Sequence, residues 1–450
     1  MAKSKQKFIC QNCEAVFYKW AGRCESCGEW NSLVEQTLPE MGRSAVARSI
    51  NNGKPLQVNS LNSIPFEEGM KRLKTGIGDL DIILGGGILP GGVTLLAGQP
   101  GIGKSTLLLQ TVSNIAHNYD VLYISGEESA GQVRLRAARL GADKSSNLNF
   151  AASTSADDIA ATIRTGKYQL VVVDSVQTLH LNEITSSPGS VSQITNSSNA
   201  IINAAKETGT SVIFVGHVTK EGSIAGPKIL EHLVDVVLQF EGDRYGGFKI
   251  VRAVKNRYGS TNEAAIFEMG EKGLKIVENP SAALLAERRD EDGSVVLATL
   301  EGARPLLVEI QALVNSTNFG YPKRTASGFD INRLNLLIAV LERRTKLKLS
   351  DKDIYINVVG GIKISDPAAD LAICMAIASA SAGRRLNYGT VVFGEVGLGG
   401  EVRSVTSIEK RIAEAKKLGF TKALAPRTSK DDFIIGVDNV RSTLIEYLQK

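Results

Sequence analysis

The sequence predicts an α/β chain in three parts: a small cysteine-rich module, a core built on a parallel sheet, and a second α/β domain. Three observations lead there. Residues 98–106 read Gly98-Gln99-Pro100-Gly101-Ile102-Gly103-Lys104-Ser105-Thr106, a G-x-x-x-x-G-K-S loop set between an apolar strand run and a helical stretch. Four of the five cysteines fall within the first 27 residues as two C-x-x-C pairs. Short β-rich runs (121–125, 170–174 and 211–217) alternate with helical stretches, the pattern of buried parallel strands.

The composition sets outer bounds. With 450 residues, 43% hydrophobic and 22% charged, the chain is globular in make-up, and its length calls for two or three domains. A net charge of +5 permits a polyanionic partner without requiring one. The basic N-terminus runs into cysteines rather than an apolar segment, so no secretory signal is expected. No apolar run approaches the roughly 18 residues that cross a bilayer, so the expectation is a cytoplasmic protein with no membrane partner.

The first element, residues 1–35, carries Cys10-x-x-Cys13 and Cys24-x-x-Cys27. Each pair aims two thiolates at one point, and together they complete a closed tetrahedral site for structural Zn²⁺. Two disulfides or a redox pair compete with this reading, and a reducing cytosol disfavours both. Phe17, Tyr18, Trp20 and Trp30 are expected to pack over the knuckle rather than stack on bases. Residues 36–65, rich in Asn, Ser, Gly and Pro, read as a linker.

The core is expected over residues 66–279. Gly98, Gly101 and Gly103 let successive amides face one concavity at a helix N-terminus, which suits the phosphates of ATP. Lys104 supplies a point charge for the outer phosphates, Ser105 a hydroxyl for Mg²⁺, and Thr106 continues the motif. Asp174, ending the strand run 170–174, suits a carboxylate that holds the magnesium shell. Glu127, just beyond the run 121–125, is placed to orient the attacking water, with adjacent Glu128 as the alternative. His217 ends the run 211–217 and is positioned to contact the terminal phosphate. The polar stretches 182–196 and 220–228 read as loops that nucleotide state orders or releases.

Together these features resemble the RecA fold of recombinases and ring helicases. Val254-Lys255-Asn256-Arg257-Tyr258-Gly259 then resembles the K-N-R-F-G signature of the RadA (Sms) family of bacterial DNA repair proteins, with Tyr258 for Phe. The resemblance extends over essentially the whole chain. It implies that Lys255 and Arg257 act on the nucleotide of a neighbouring subunit, a trans-acting finger worth about 10³–10⁵ in rate. It further implies a homohexameric ring, a RecA-type recombinase as partner, and a DNA-dependent ATPase that moves along single-stranded or branched DNA and drives branch migration.

Residues 280–450 resemble the proteolytic domain of Lon without its catalytic pair. Ala368 stands at the nucleophile position and Glu409 at the lysine position, with Lys410 one residue on. A methyl group cannot attack a carbonyl, so the domain is expected to serve assembly and DNA binding. Lys323, Arg324, Arg343, Arg344, Lys346, Lys348, Arg384 and Arg385 supply basic charge there. A Lon-like protease and an ATP-dependent regulatory ring without DNA activity are the competing readings.

Overall fold

The computed structural model describes residues 7–11, 15–30, 32–36, 60, 71–217, 229–242, 247–317, 320–427 and 431–448. The chain divides into two compact units, Met1–Glu68 and Gly69–Lys450.

In the first unit, β1 (Lys7–Cys10) lies between β2 (Val16–Phe17) and β3 (Leu33–Gln36), antiparallel to both. Its core holds Phe8, Cys10, Cys24 and Leu33, with Phe17 and Ala21 packed against it. Four buried residues make too small a core to cover large rings. Tyr18, Trp20 and Trp30 accordingly stand 67%, 63% and 68% exposed, and of the four aromatics expected to pack over the knuckle only Phe17 does so.

The second unit carries two large sheets. The first comprises β4 (Val93–Gly98), β5 (Val121–Ser125), β6 (Leu148–Ala152), β7 (Leu170–Asp174), β8 (Ser211–His217), β9 (Val236–Gly242), β10 (Lys249–Asn256), β11 (Ala264–Gly270) and β12 (Gly273–Ile276). Their order is β12-β11-β10-β9-β4-β8-β7-β5-β6. The strands from β9 to β6 in that order are parallel, and β10 to β12 extend the sheet as an antiparallel meander.

Alternation sorts the side chains of β4. Leu96 joins the cluster containing Leu107, Leu108 and Val112 of the helix Lys104–Ile115. Leu95 and Ala97 face the other way, among Ile159 and Ile163 of the helix Ala156–Arg164 and Ile194 and Ile201 of the helix Val191–Thr208. This is a doubly wound sheet with apolar cover on both faces.

The stretch 182–196, expected as a loop throughout, turns helical at Val191. Ser190 caps that helix by accepting from the Gln193 amide, so the last six residues of the polar run are helical. Residues 220–228 lie outside the described residues.

The second sheet comprises β13 (Ser294–Glu301), β14 (Arg304–Ser316), β15 (Arg324–Ser327), β16 (Lys352–Val358), β17 (Thr390–Val392), and, beyond the small ribbon β18 (Glu395–Val396) and β19 (Val402–Arg403), β20 (Lys422–Pro426) and β21 (Ile434–Val437). The order is β15-β16-β14-β13-β17-β20-β21. The helix Ala369–Ala382 is buried from Ala369 through Ser379 and packs on β13 and β14. One apolar core unites this sheet with Ile250 of β10 and with Ala264 and Ile266 of β11. Among the described residues no helix is long and apolar enough to cross a membrane.

Candidate nucleotide site and metal centre

Strand register assembles the nucleotide site. In β4 and β8, Gly98 lies opposite His217; in β8 and β7, Val215 lies opposite Asp174; in β7 and β5, Asp174 lies opposite Ser125. The carboxyl ends of four strands therefore form one shelf at ~4.8 Å spacing. The P-loop closes over it. Gly101 and Gly103 take φ of +78° and +118°, which a side chain would strain, and a Cβ at Gly98 would meet the Phe240 carbonyl at 2.6 Å.

The Lys104 ammonium donates to the carbonyls of Gly98 (2.8 Å) and Gln99 (3.0 Å) and lies 3.2 Å from His217 Nδ1. His217 Nε2 lies 3.2 Å from Glu127 Oε1, and the Ser175 hydroxyl donates to that same oxygen. Ser105 and Tyr123 both donate to Asp174 Oδ2, at 2.8 and 2.6 Å. Lys104, Ser105, Glu127, Asp174 and His217 line a cavity of about 350 Å³ together with Pro100, Gly101, Gly103 and Thr106. All the P-loop, strand-end and histidine residues expected at the nucleotide thus meet in one place.

The electrostatics separate the two glutamates. Hydrogen bonds from His217 and Ser175, with the nearby Lys104 charge, outweigh burial and hold Glu127 down to about 2. Glu128 instead pairs with Arg136 at 2.6 Å. Glu127 is the one that faces the P-loop lysine. Burial lowers Lys104 to about 8 although Asp174 and Glu127 oppose it, and burial beside Asp174 pushes Tyr123 well above its usual range.

Four further residues belong to the site: Tyr123 and Ser175 on the carboxylates, and Arg136 and Arg139 on the cavity wall. Tyr123 sits inside the strand run 121–125 and Ser175 directly follows Asp174, so adjacency was their only signal. The arginines carried none.

Lys255 and Arg257 are elsewhere. Asn256 pairs with Val236, and Val236 with Thr94, four residues before Gly98, so this end of the sheet lies roughly 13 Å from the P-loop end. The Lys255 ammonium donates to the carbonyls of Glu231 (2.6 Å) and Val234 (2.7 Å), and Arg257 pairs with Asp235 at 3.0 Å while remaining 53% exposed. Burial and the neighbouring Arg257 lower the Lys255 pKa. Neither side chain reaches its own P-loop.

In the first unit, the ligand atoms of Cys10, Cys24 and Cys27 lie within 4.8 Å of one another, with Cys10 and Cys27 sulfurs 3.6 Å apart. A tetrahedron of ~2.3 Å metal–sulfur bonds has edges of about 3.8 Å, so these thiols fit one. Cys13 lies outside the described residues. Gly28, at φ +78°, makes the tight turn that returns its amide to the Cys24 carbonyl.

At the Lon-like positions, Ala368 is fully buried. Fully buried Arg411 pairs with Asp366 at 2.7 Å and donates to the Ala298 carbonyl, while Lys410 reaches the Ala303 carbonyl at 3.3 Å. A buried ion pair therefore lies beside the alanine where a protease needs a nucleophile. Lys323, Arg343, Arg344, Lys346, Lys348, Arg384 and Arg385 are exposed and Arg324 is half-buried.

Three stretches match known families: an AAA domain over residues 69–223, the subunit ChlI of Mg-chelatase over 334–429, and a rubredoxin metal binding domain over 8–35. The first accounts for an ATPase domain around the P-loop. Along its length the chain is 48% identical to the DNA repair protein RadA of Bacillus subtilis, over 99% of each chain. It is 46% identical to that of Pseudomonas aeruginosa, over 95% of this chain and 94% of the relative, and 44% identical to that of Aquifex aeolicus, over 100% and 99%. With such similarity from one end to the other, this chain belongs to the RadA family of DNA repair proteins.

Proposed function

We propose that this chain is a DNA-dependent ATPase of recombinational repair that works as a homohexameric ring, translocating on single-stranded and branched DNA to drive branch migration. The observation that carries the reading is the His217 bridge. One ring nitrogen meets the phosphate-binding lysine and the other meets the water-orienting glutamate, at the end of the strand that leads into residues 220–228. A terminal phosphate arriving at Lys104 competes with the Gly98 and Gln99 carbonyls and with His217 for the ammonium. Such competition alters the histidine's contacts and hence the start of the segment proposed to hold DNA.

Glu127, ionised at neutral pH, accepts a hydrogen bond from the attacking water, and Lys104 offsets charge on the terminal phosphate. Ser105 and Asp174 oxygens, 2.8 Å apart, form a hard-oxygen donor set that fits Mg²⁺, which supplies charge neutralisation for the leaving phosphates. Cys10, Cys13, Cys24 and Cys27 hold Zn²⁺ as a structural ion. Lys255 and Arg257, far from their own P-loop, complete the site of the adjoining protomer.

Residues 66–279 form the motor module, and 280–450 form a proteolytically inactive module whose exposed cations contact DNA. A RecA-type recombinase is the protein partner this activity serves. A protease is disfavoured by the buried Ala368 methyl, and ATP-dependent digestion of casein would revive it.

Strand displacement on forked DNA tests the proposal. Wild type separates the strands with hydrolysis stimulated by single-stranded DNA, whereas Lys104→Ala and Arg257→Ala lose both. Hydrolysis indifferent to DNA would favour a regulatory ring.

A further inference from the structure

Asp235 is a buried carboxylate that the nucleotide cavity does not use. It is 4% exposed and sits between the helix Ile229–Leu233 and the first residue of β9. Oδ1 accepts from Arg257 Nη1 at 3.0 Å, and Oδ2 accepts from the Val93 amide at 3.0 Å. Its backbone is fixed as well: its amide donates to the Val93 carbonyl at 2.9 Å, and its carbonyl accepts from the Arg257 amide at 3.1 Å. The carboxylate is held by the first residue of the P-loop strand and in turn holds the guanidinium.

We propose that Asp235 is a positioning residue that presents Arg257 to the nucleotide of the adjoining protomer. This rests on the trans-acting reading of Arg257 above. A long arginine side chain loses rotamer freedom when it is fixed, and one 53% exposed has little packing to restrain it. A single buried oxygen on a rigid strand end fixes its stem direction and leaves the remaining guanidinium N–H groups facing solvent for a phosphate.

Two neighbours support the assignment. The Tyr258 ring packs 3.5 Å from where a Cβ would stand on Gly92, next to Val93; burial and the nearby Asp235 charge raise its pKa. Lys255 takes its own partners from the Glu231 and Val234 carbonyls and does not compete with Arg257 for the Asp235 carboxylate.

Asymmetric complementation of the full-length protein tests the proposal. Lys104→Ala protomers lack a working pocket but keep the finger; Arg257→Ala protomers keep the pocket but lack the finger. Mixing them restores DNA-stimulated ATP hydrolysis where fingers act across the seam. The expected result is that a Lys104→Ala/Asp235→Asn donor restores about 10- to 100-fold less, the cost of a misaimed group. Placed in the Arg257→Ala recipient, the same substitution reduces rescue at least tenfold less than it does in the donor. Asparagine still accepts from the Val93 amide, and unchanged melting and assembly mass check that the variant folds.

Equal rescue by both donors overturns the role of Asp235 while leaving the finger in trans. Equal loss from donor and recipient placements also overturns it, as a merely structural effect. No rescue even by the plain Lys104→Ala donor removes the trans-acting reading itself, and the inference with it.

Discussion

Lys104 rests among carbonyl oxygens with its pKa drawn down to about 8 by burial, and a polyphosphate beside it adds negative charge that raises that value. The bound form therefore holds its proton at a pH where the unbound form has lost it. Above pH 8 binding takes up a proton, so affinity for ATP falls as pH rises from 8 toward 10.5, by up to about tenfold per unit. Calorimetry at pH 9 in buffers of different ionisation enthalpy will show uptake approaching one proton, and a pH-independent affinity would contradict it. Glu127, ionised throughout that range, is tested by Glu127→Gln: kcat falls by about 10²–10⁴ while nucleotide affinity changes by less than about threefold. Glu128→Gln, which only releases Arg136, leaves kcat within about tenfold. The residues legible in the sequence are those whose chemistry demands a fixed local spacing, such as the P-loop glycines, Lys104 and Ser105, or a strand end, such as Asp174. Asp235 was not legible, because an acidic residue ahead of an apolar run looks like any strand entry. Its meaning comes from Val93, 142 residues away in sequence.

At the scale of elements, the knuckle shows what a pattern in sequence reports and what it omits. The C-x-x-C spacing announces converging thiols, and three of them do converge. The aromatic residues were harder to place, because hydrophobicity alone does not say whether a core exists that is large enough to cover them. With Phe8, Cys10, Cys24 and Leu33 as its buried core, the knuckle depends on its metal for stability; zinc contributes about 10–16 kcal/mol in small zinc peptides. A chelator, or Cys24→Ser, will raise amide exchange across β1 to β3 to the unfolded rate, measured by mass spectrometry. Protection that survives complete metal removal would show that the apolar contacts suffice. The helix Val191–Thr208 teaches the same lesson: its Ser190-x-x-Gln193 cap lies within a stretch whose polarity reads as loop, and the cap outweighs the polarity.

Across the whole molecule, the two large sheets are joined by more than a linker. Near residue 280, Asn279 caps a helix that opens at Pro280. Alternation along β10 and β11 announces a buried face, but it does not reveal what covers that face. The cover is the second sheet's core, where Ile250, Ala264 and Ile266 join Leu306, Val308 and Leu334, and Arg304 reaches across to Asp79 at 2.9 Å. A sheet that shares its core with the next passes strain to it directly, because close-packed interiors deform little. Ile266 is fully buried at this junction, so Ile266→Ala will cost about 2–5 kcal/mol. The loss will appear as faster amide exchange in β13 and β14 as well as in β10 and β11, within a single calorimetric transition. Loss of protection confined to β10 and β11 would mean that the two sheets unfold separately, and that movement at the P-loop reaches the basic surface of the second sheet by some route other than this core.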